Sequence, residues 1–383
     1  MLKRIIILAL LFSFIEAKAN RDTLSAEGDS IRSDAEIVLP AYSDHIVEFE
    51  DNRIKIDSQT FFNHMNQLEY EIPMDYNDQV LKYINYFATS WQSKLKDMIS
   101  LQEYYFPIYE SILDQYQLPT EIKYLSVIES ALNQKAVSVS GAVGLWQFMP
   151  YTGKIYGLQI NSFVDERKSI EKATHAACHY FTDMKAQFDD WLIVLASYNC
   201  GPGNIRKAIR RSGGKKTFWE IYPYLPRQTR NYVPKYIAMA YMLNFYEHYG
   251  ITPSQPNFPG PVSTVTCSAN YSITAISKIL DYKESDIMAL NPVLRTKRLP
   301  VKGEFSLVLP ADLCIEFYEK ELAILDLSET LKPAVTEIKY TVKRGESLPL
   351  IARKNNCSVS EIKEWNNLRG NVIHPGQKLV IIL

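Results

Sequence analysis

Pro253, Pro256, Pro259 and Pro261 crowd the short stretch 251–262, and neither a helix nor a central strand can run through them. Each ring fixes φ and removes an amide donor, so the chain must close one folded unit before this stretch and begin another after it. A chain of 383 residues with 46% hydrophobic side chains can supply a core on both sides. Its 42 basic and 43 acidic side chains leave a formal charge of −1, which offers no basic excess to displace counterions from phosphates. Nucleic acid is therefore not an expected partner.

Before the prolines the pattern is helical. Val80, Ile84, Phe87, Trp91 and Leu95 recur every three or four residues, and the periodicity continues to about Tyr249. Glycine turns interrupt it at Gly141 to Gly144, Gly201 to Gly203 and Gly213 to Gly214. Residues 60–250 are expected to form a mostly α domain, with 104–249 as its center. The polar, aperiodic stretch 20–59 reads as a loose extension. Ahead of it, Lys3 and Arg4, the apolar run from Ile5 to Ile15 and the Ala17-Lys18-Ala19 pattern read as a cleaved signal peptide over 1–19. The run is short for a spanning helix, which needs about 20 residues. No cysteine near the cleavage site offers a lipoprotein anchor. Export to the periplasm or cell envelope is expected, with peripheral association to wall or membrane.

Beyond the prolines the chain repeats itself. One constant shift aligns Thr266 with Thr341, Ser272 with Ser347, Ile276 with Ile351, Ile287 with Ile362, Leu290 with Trp365 and Asn291 with Asn366. A slightly different shift puts Gly303, Leu307 and Leu309 on Gly376, Val380 and Ile382. Each copy reads strand, helix, helix, strand, so two small α+β modules are expected at 263–312 and 338–383, joined by a linker over 313–337. Ser358 and Glu361 form a capping box at the start of one helix. Gly345 occupies the first turn, and Asn270, its counterpart, tolerates positive φ next best.

The segment opening at Leu118-Pro119 begins a helix whose apolar stripe is Ile122, Leu125, Ile128 and Leu132. Glu129 projects inside that stripe. A carboxyl facing an apolar wall is disfavored as an anion, which raises its pKa toward the value a general acid needs at neutral pH. A Glu at the edge of the stripe, reaching solvent or an arginine, fits the same pattern.

The residues that follow carry a resemblance. Glu129-Ser130 leads through Ser138 to Gly144-Leu145-Trp146-Gln147, and later come Ala196-Ser197-Tyr198-Asn199 and Asn231-Tyr232-Val233. In this order they resemble the lysozyme-like SLT domain of lytic murein transglycosylases, glycoside hydrolase family 23, related to goose-type lysozyme. The resemblance covers about Tyr104 to Tyr249. It implies Glu129 as the single catalytic acid/base, with Ser130, Ser138, Gln147, Tyr198, Asn199 and Tyr232 lining the glycan site. It implies a substrate-assisted cleavage of peptidoglycan that forms 1,6-anhydro-N-acetylmuramic acid without metal or cofactor. No Asp or Glu lies between Glu129 and Asp165, consistent with the lack of a second catalytic carboxylate. Trp146 stands where the family often has methionine, which keeps an apolar wall. A goose-type muramidase and a non-catalytic peptidoglycan-binding protein are the rival readings.

The last module, with Tyr340-Thr341-Val342, Gly345-Glu346-Ser347-Leu348, Ile351-Ala352 and Pro375-Gly376-Gln377, resembles a LysM domain. The resemblance implies glycan binding by Gly345, Glu346, Ser347, Leu348, Ile373 and Pro375. The 263–312 copy reads as a degenerate LysM-like module. Glu171, His175 and His179 have metal-compatible spacing but lack the H-E-x-x-H glutamate, so a surface helix face is expected instead. The basic run from Arg206 to Lys216 reads as a solvated helix face. Cys178 with Cys200, and Cys267 with Cys314, are candidate disulfides in an oxidizing compartment, leaving Cys357 unpaired.

Overall fold

The computed structural model describes residues 56–255, 260–300, 303–332, 337–355 and 357–382. The expected signal peptide, most of the 20–59 extension and residues 256–259 of the proline stretch lie outside them. Among the described residues, no helix is long and apolar enough to cross a membrane.

The helical domain begins earlier than its sequence pattern suggests. Helix α1 (Ser58–Met65) is capped by Asp57, whose carboxylate accepts the Thr60 amide at 2.7 Å, and Ile56 and Phe61 are already buried. Then come α2 (Asp78–Ala88), capped by Asn77, and the long α3 (Gln92–Gln115). A 3-10 turn at Thr120–Ile122 leads into α4 (Lys123–Ser130), and α5 (Pro150–Ile155) follows. The domain closes with α6 (Ile170–Lys185), α7 (Trp191–Arg211), α8 (Phe218–Ile221) and α9 (Arg227–Phe245). Helix α9 packs along α2 and crosses α4 and α7, while α3 lies on α6. Within α7, Gly201 adopts φ 77° and ψ 151°, a kink that only glycine takes without strain.

The two repeats are both βααβ modules. The middle one comprises β1 (Val262–Cys267), α10 (Ile273–Ile279), α11 (Glu284–Leu290) and β2 (Phe305–Pro310), with antiparallel strands. The expected linker at 313–337 is instead mostly helix: α12 (Leu313–Glu319) and α13 (Glu321–Thr330) bury Phe317 and Ile324 in the middle module's core. Ser328 on α13 also accepts the Ser272 amide at 2.9 Å. Leu313, Phe317, Ile324 and Leu331 sit at helical spacing, so the apolar stripe was present in the sequence. The terminal module follows as β3 (Glu337–Thr341), α14 (Leu348–Lys354), α15 (Val359–Trp365) and β4 (Lys378–Ile382). Ser358 and Glu361 form the capping box.

An identical latch identifies the two copies. The Asn291 amide group donates to the Ile287 and Val308 carbonyls at 2.8 and 2.7 Å and its oxygen accepts from the Val308 amide at 2.8 Å. Asn366 does the same with Ile362 and Val380 at 2.8, 2.7 and 2.7 Å. The latch corrects the alignment of the last strands, because Val308 matches Val380. The buried residues are Leu307 and Leu309 in one copy, Leu379 and Ile381 in the other. Aligning on glycine slipped the strand by one residue, which exchanges its two faces. Asn270 is also not at positive φ; its side-chain oxygen accepts from the Arg298 guanidinium at 2.5 Å instead.

The middle module is docked on the helical domain. Val164 pairs with Leu294 in an isolated antiparallel bridge and is buried in the middle module's core.

Candidate active site

The short helix α4 is enclosed: every residue from Tyr124 to Ser130 is buried. The chain leaves it through Ala131 (φ 53°) and Leu132 (φ 59°), two consecutive non-glycine residues in left-handed conformation. Such backbone costs energy and persists only where packing over-determines it. Leu132 completes the apolar stripe with Ile122, Leu125 and Ile128, all buried.

Glu129 is 2% exposed. Its Oε1 accepts the Tyr232 hydroxyl at 2.5 Å, across from α9. Burial raises the carboxyl to about 7, and the Tyr232 hydrogen bond opposes that rise. Tyr232 itself is held far above the usual phenol range by burial and by the nearby Glu129, so it remains a proton donor. Tyr198 on α7 is likewise shifted upward by burial and then by Glu129, and its hydroxyl donates to the Trp146 carbonyl at 2.6 Å.

The other expected contacts are tied into the loop that follows α4. Ser130 donates toward the Ser126 and Leu145 carbonyls at 2.9 and 3.0 Å, so it fastens the helix end to that loop. The Ser138 hydroxyl accepts the Ala142 amide at 2.9 Å and closes a turn. Gln147 (φ 47°) donates to the Gly144 carbonyl at 2.8 Å, and its Oε1 is buried without a protein partner. Asn199 accepts the Thr229 hydroxyl at 2.9 Å, joining α7 to α9. Trp146 is fully buried, donating to Thr174 at 2.9 Å, so it fills core behind the site and does not wall it.

Two functional-looking residues carried no clear sequence signal. Arg167 and Asp165, both buried, pair at 2.8 Å (Nε to Oδ1) and 2.7 Å (NH2 to Oδ2). Arg167 NH1 then donates to the Gly141 and Phe148 carbonyls at 2.9 and 3.0 Å, gripping the loop that carries Ser138 and Gln147. An acid two residues before a base, in a stretch without periodicity, was the only trace.

In the terminal module, β3–β4 pairing sets the loops 342–348 and 372–377 side by side, with Val342 and Gly376 bonded at 2.8 Å and Val342 and Gln377 at 2.9 Å. Gly345 takes φ 84°. Glu346 accepts from Tyr340 at 2.8 and 2.9 Å, the Lys343 amide at 2.9 Å and Lys354 at 2.6 Å. Those donors, Lys354 first, pull it down to about 2. Its carboxylate is thus committed to the loop. Leu348 is fully buried and belongs to the core, whereas Ser347 and Pro375 are exposed and Ile373 half-buried.

The histidines turn toward one phenol: Tyr116 lies 3.0 Å from His175 Nδ1 and 3.3 Å from His179 Nε2. The basic run is an exposed face on which Arg206 reaches Gln187 and Lys215 reaches Glu220. All five cysteines are free thiols, so neither expected disulfide is formed. Each sulfur faces its own surroundings: Cys178 is sealed in the core, Cys200 lies against Gly201, and Cys314 donates to Pro310 at 3.5 Å. Burial pushes Cys178 up to about 12 and Cys200 up to about 11.

Comparison with known proteins places a transglycosylase SLT domain at 108–221 and a LysM domain at 340–381. The chain is 30% identical over 273 residues to membrane-bound lytic murein transglycosylase D of Escherichia coli K12, covering 69% of this chain and 60% of that protein. It thus spans about 60% of that curated relative's length. It is 31% identical over 147 residues to the soluble lytic murein transglycosylase of the same organism, covering 35% of this chain and 22% of that protein. The crystal structure of the 70 kDa soluble lytic transglycosylase from E. coli aligns with TM-score 0.34 and 20% identity, covering 49% of this chain and 33% of that one.

Proposed function

We propose that this chain, with its SLT and LysM domains, is an exported peptidoglycan lytic transglycosylase that cleaves between N-acetylmuramic acid and N-acetylglucosamine. The observation that carries the reading is Glu129: a sealed carboxyl raised to about 7, hydrogen-bonded to Tyr232, in the Glu-Ser position of an SLT domain. With the Tyr232 hydroxyl donating to Oε1, the acidic proton resides on Oε2, free to be given to the glycosidic oxygen. The substrate's acetamido group steadies the positive charge at C1. The resulting carboxylate, poorly solvated, takes the proton from the C6 hydroxyl as that oxygen attacks C1. The bond to the leaving sugar breaks, a 1,6-anhydro bond forms, and no water is consumed.

Gln147 Oε1, buried and unpaired, suits an acceptor for a sugar hydroxyl or amide proton. In the terminal module the paired loops around Gly345 to Ser347 and Ile373 to Pro375 suit a shallow glycan groove, which would hold the enzyme on wall strands. Glu346 and Leu348 would support that groove from behind.

The test is product analysis. Purified sacculi incubated with the protein should release fragments ending in anhydro-muramic acid, one water lighter than hydrolysis products. Reducing-end muramic acid would instead identify a lysozyme-type hydrolase, and binding without release would identify a wall-binding protein.

A further inference from the structure

The Asp165–Arg167 pair lies between two parts of the molecule, the loop of the candidate active site and the middle module. On the site side, Arg167 NH1 holds the Gly141 and Phe148 carbonyls, which bracket the stretch ending in Gln147. The contact is close along the backbone as well: a Cβ on Gly144 would lie 1.8 Å from the Arg167 carbonyl oxygen. Only glycine lets the loop and the Arg167 segment meet this way. On the module side, the Asp165 amide donates to the Val293 carbonyl at 2.8 Å and the Arg295 amide to the Phe163 carbonyl at 2.8 Å. Arg295 NH1 adds a bond to the Asn161 carbonyl at 3.0 Å. Val164, 2% exposed, is buried among middle-module side chains. The terminal module meets the same segment, where Ser162 donates to Glu361 at 2.5 Å.

We infer that Asp165 and Arg167 are positioning residues for the Ser138–Gln147 loop, and that the middle module acts as a brace that holds them in place. An arginine clamped in a bidentate pair can hold two carbonyls at fixed geometry, whereas a lysine or an unpaired arginine cannot. The segment 161–165 is a short turn, closed on itself by Asn161 Oδ1 accepting the Phe163 and Val164 amides at 2.9 Å and by the Ile160–Asp165 bridge, and its contacts with 293–295 fix where that turn sits. Docking gives it a short antiparallel pairing with 293–295. The middle module thereby has a use that does not require it to bind sugar. The catalytic consequence rests on the lytic transglycosylase reading; the mechanical one does not.

Two variants of the full chain test it. Val164→Asp places a carboxylate in the middle module's apolar core and should undock it, with the Arg167 and Glu129 side chains themselves left in the sequence. Arg167→Lys keeps the charge but not the clamp. Hydrogen exchange of the Ala142, Val143, Gly144 and Gln147 amides should accelerate about tenfold or more in both. With a soluble, uncrosslinked glycan fragment as substrate, KM should rise about tenfold, because displaced binding groups cost affinity steeply. The pH limb set by Glu129 near 7 should stay where it is, since its burial and its Tyr232 bond are untouched. Val164→Asp protein with wild-type exchange across 136–148 and wild-type KM would overturn the brace. If Arg167→Lys does not fold, Val164→Asp alone decides. A wild-type protein that releases no anhydro product sinks the functional reading, and the exchange measurement still decides the brace.

Discussion

Two glutamates, one in the helical domain and one in the terminal module, are pushed in opposite directions. Glu129 is 2% exposed, with the Tyr232 hydroxyl as its hydrogen-bond donor, and burial lifts it to about 7. Glu346 lies at a surface loop with an ammonium, a backbone amide and a phenol donating to it, and is drawn down to about 2. The residue type is the same; burial decides the protonation state of one, and the number and charge of the donors that of the other. One environment produces a proton donor for neutral pH, the other a permanently ionized staple.

The sharpest way to break the comparison is to remove the titrating group. Glu129→Gln should lower sacculus cleavage about 1,000-fold or more, within the range general acids supply, and a variant that digests as fast as wild type would remove Glu129 from the chemistry. The same substitution should act on stability with a defined sign. A carboxyl raised in the folded state binds its proton more tightly there, so its stabilizing contribution is full below about 4.5 and is lost as pH rises through about 7. Thermal unfolding should therefore show Glu129→Gln more stable than wild type at pH 8, by roughly 1–3 kcal/mol, and little different at pH 4.

Tyr232→Phe sharpens the contrast from the other side. It deletes the one hydrogen bond that lowers the Glu129 pKa, so the alkaline limb of the pH-rate profile should move upward. A downward move would mean the phenol does not favor the carboxylate. The smallest effect belongs to Lys354→Ala. Glu346 is depressed, so the stability it supplies is present above about 4.5 and is lost as pH falls through about 2. Removing Lys354 should raise the Glu346 titration midpoint, read by NMR, while Glu129 is unaffected.

The same division runs through the rest of the molecule. Periodicity was enough to place Glu129 in an apolar stripe, to find the two βααβ copies and to match Asn291 with Asn366, because these depend on residues close in sequence. It missed α12 and α13, whose apolar positions were present but lay where a linker seemed natural. It slipped β2 against β4 by one residue, because a gap aligned on glycine ignores which face of a strand is buried. It paired cysteines that the fold keeps as free thiols.

The amino-acid sequence by itself determined the helical character before the proline stretch, the βααβ character after it, and the motif order that led to Glu129. Local spacing and side-chain chemistry carry that information. Only the tertiary structure decided that Tyr232 meets Glu129, that Arg167 grips the loop of Ser138 and Gln147, and that Val164 is buried in the middle module's core. Those contacts join residues from separate helices, loops and modules, and the burial that sets a pKa or fixes a carbonyl exists only once they are packed together.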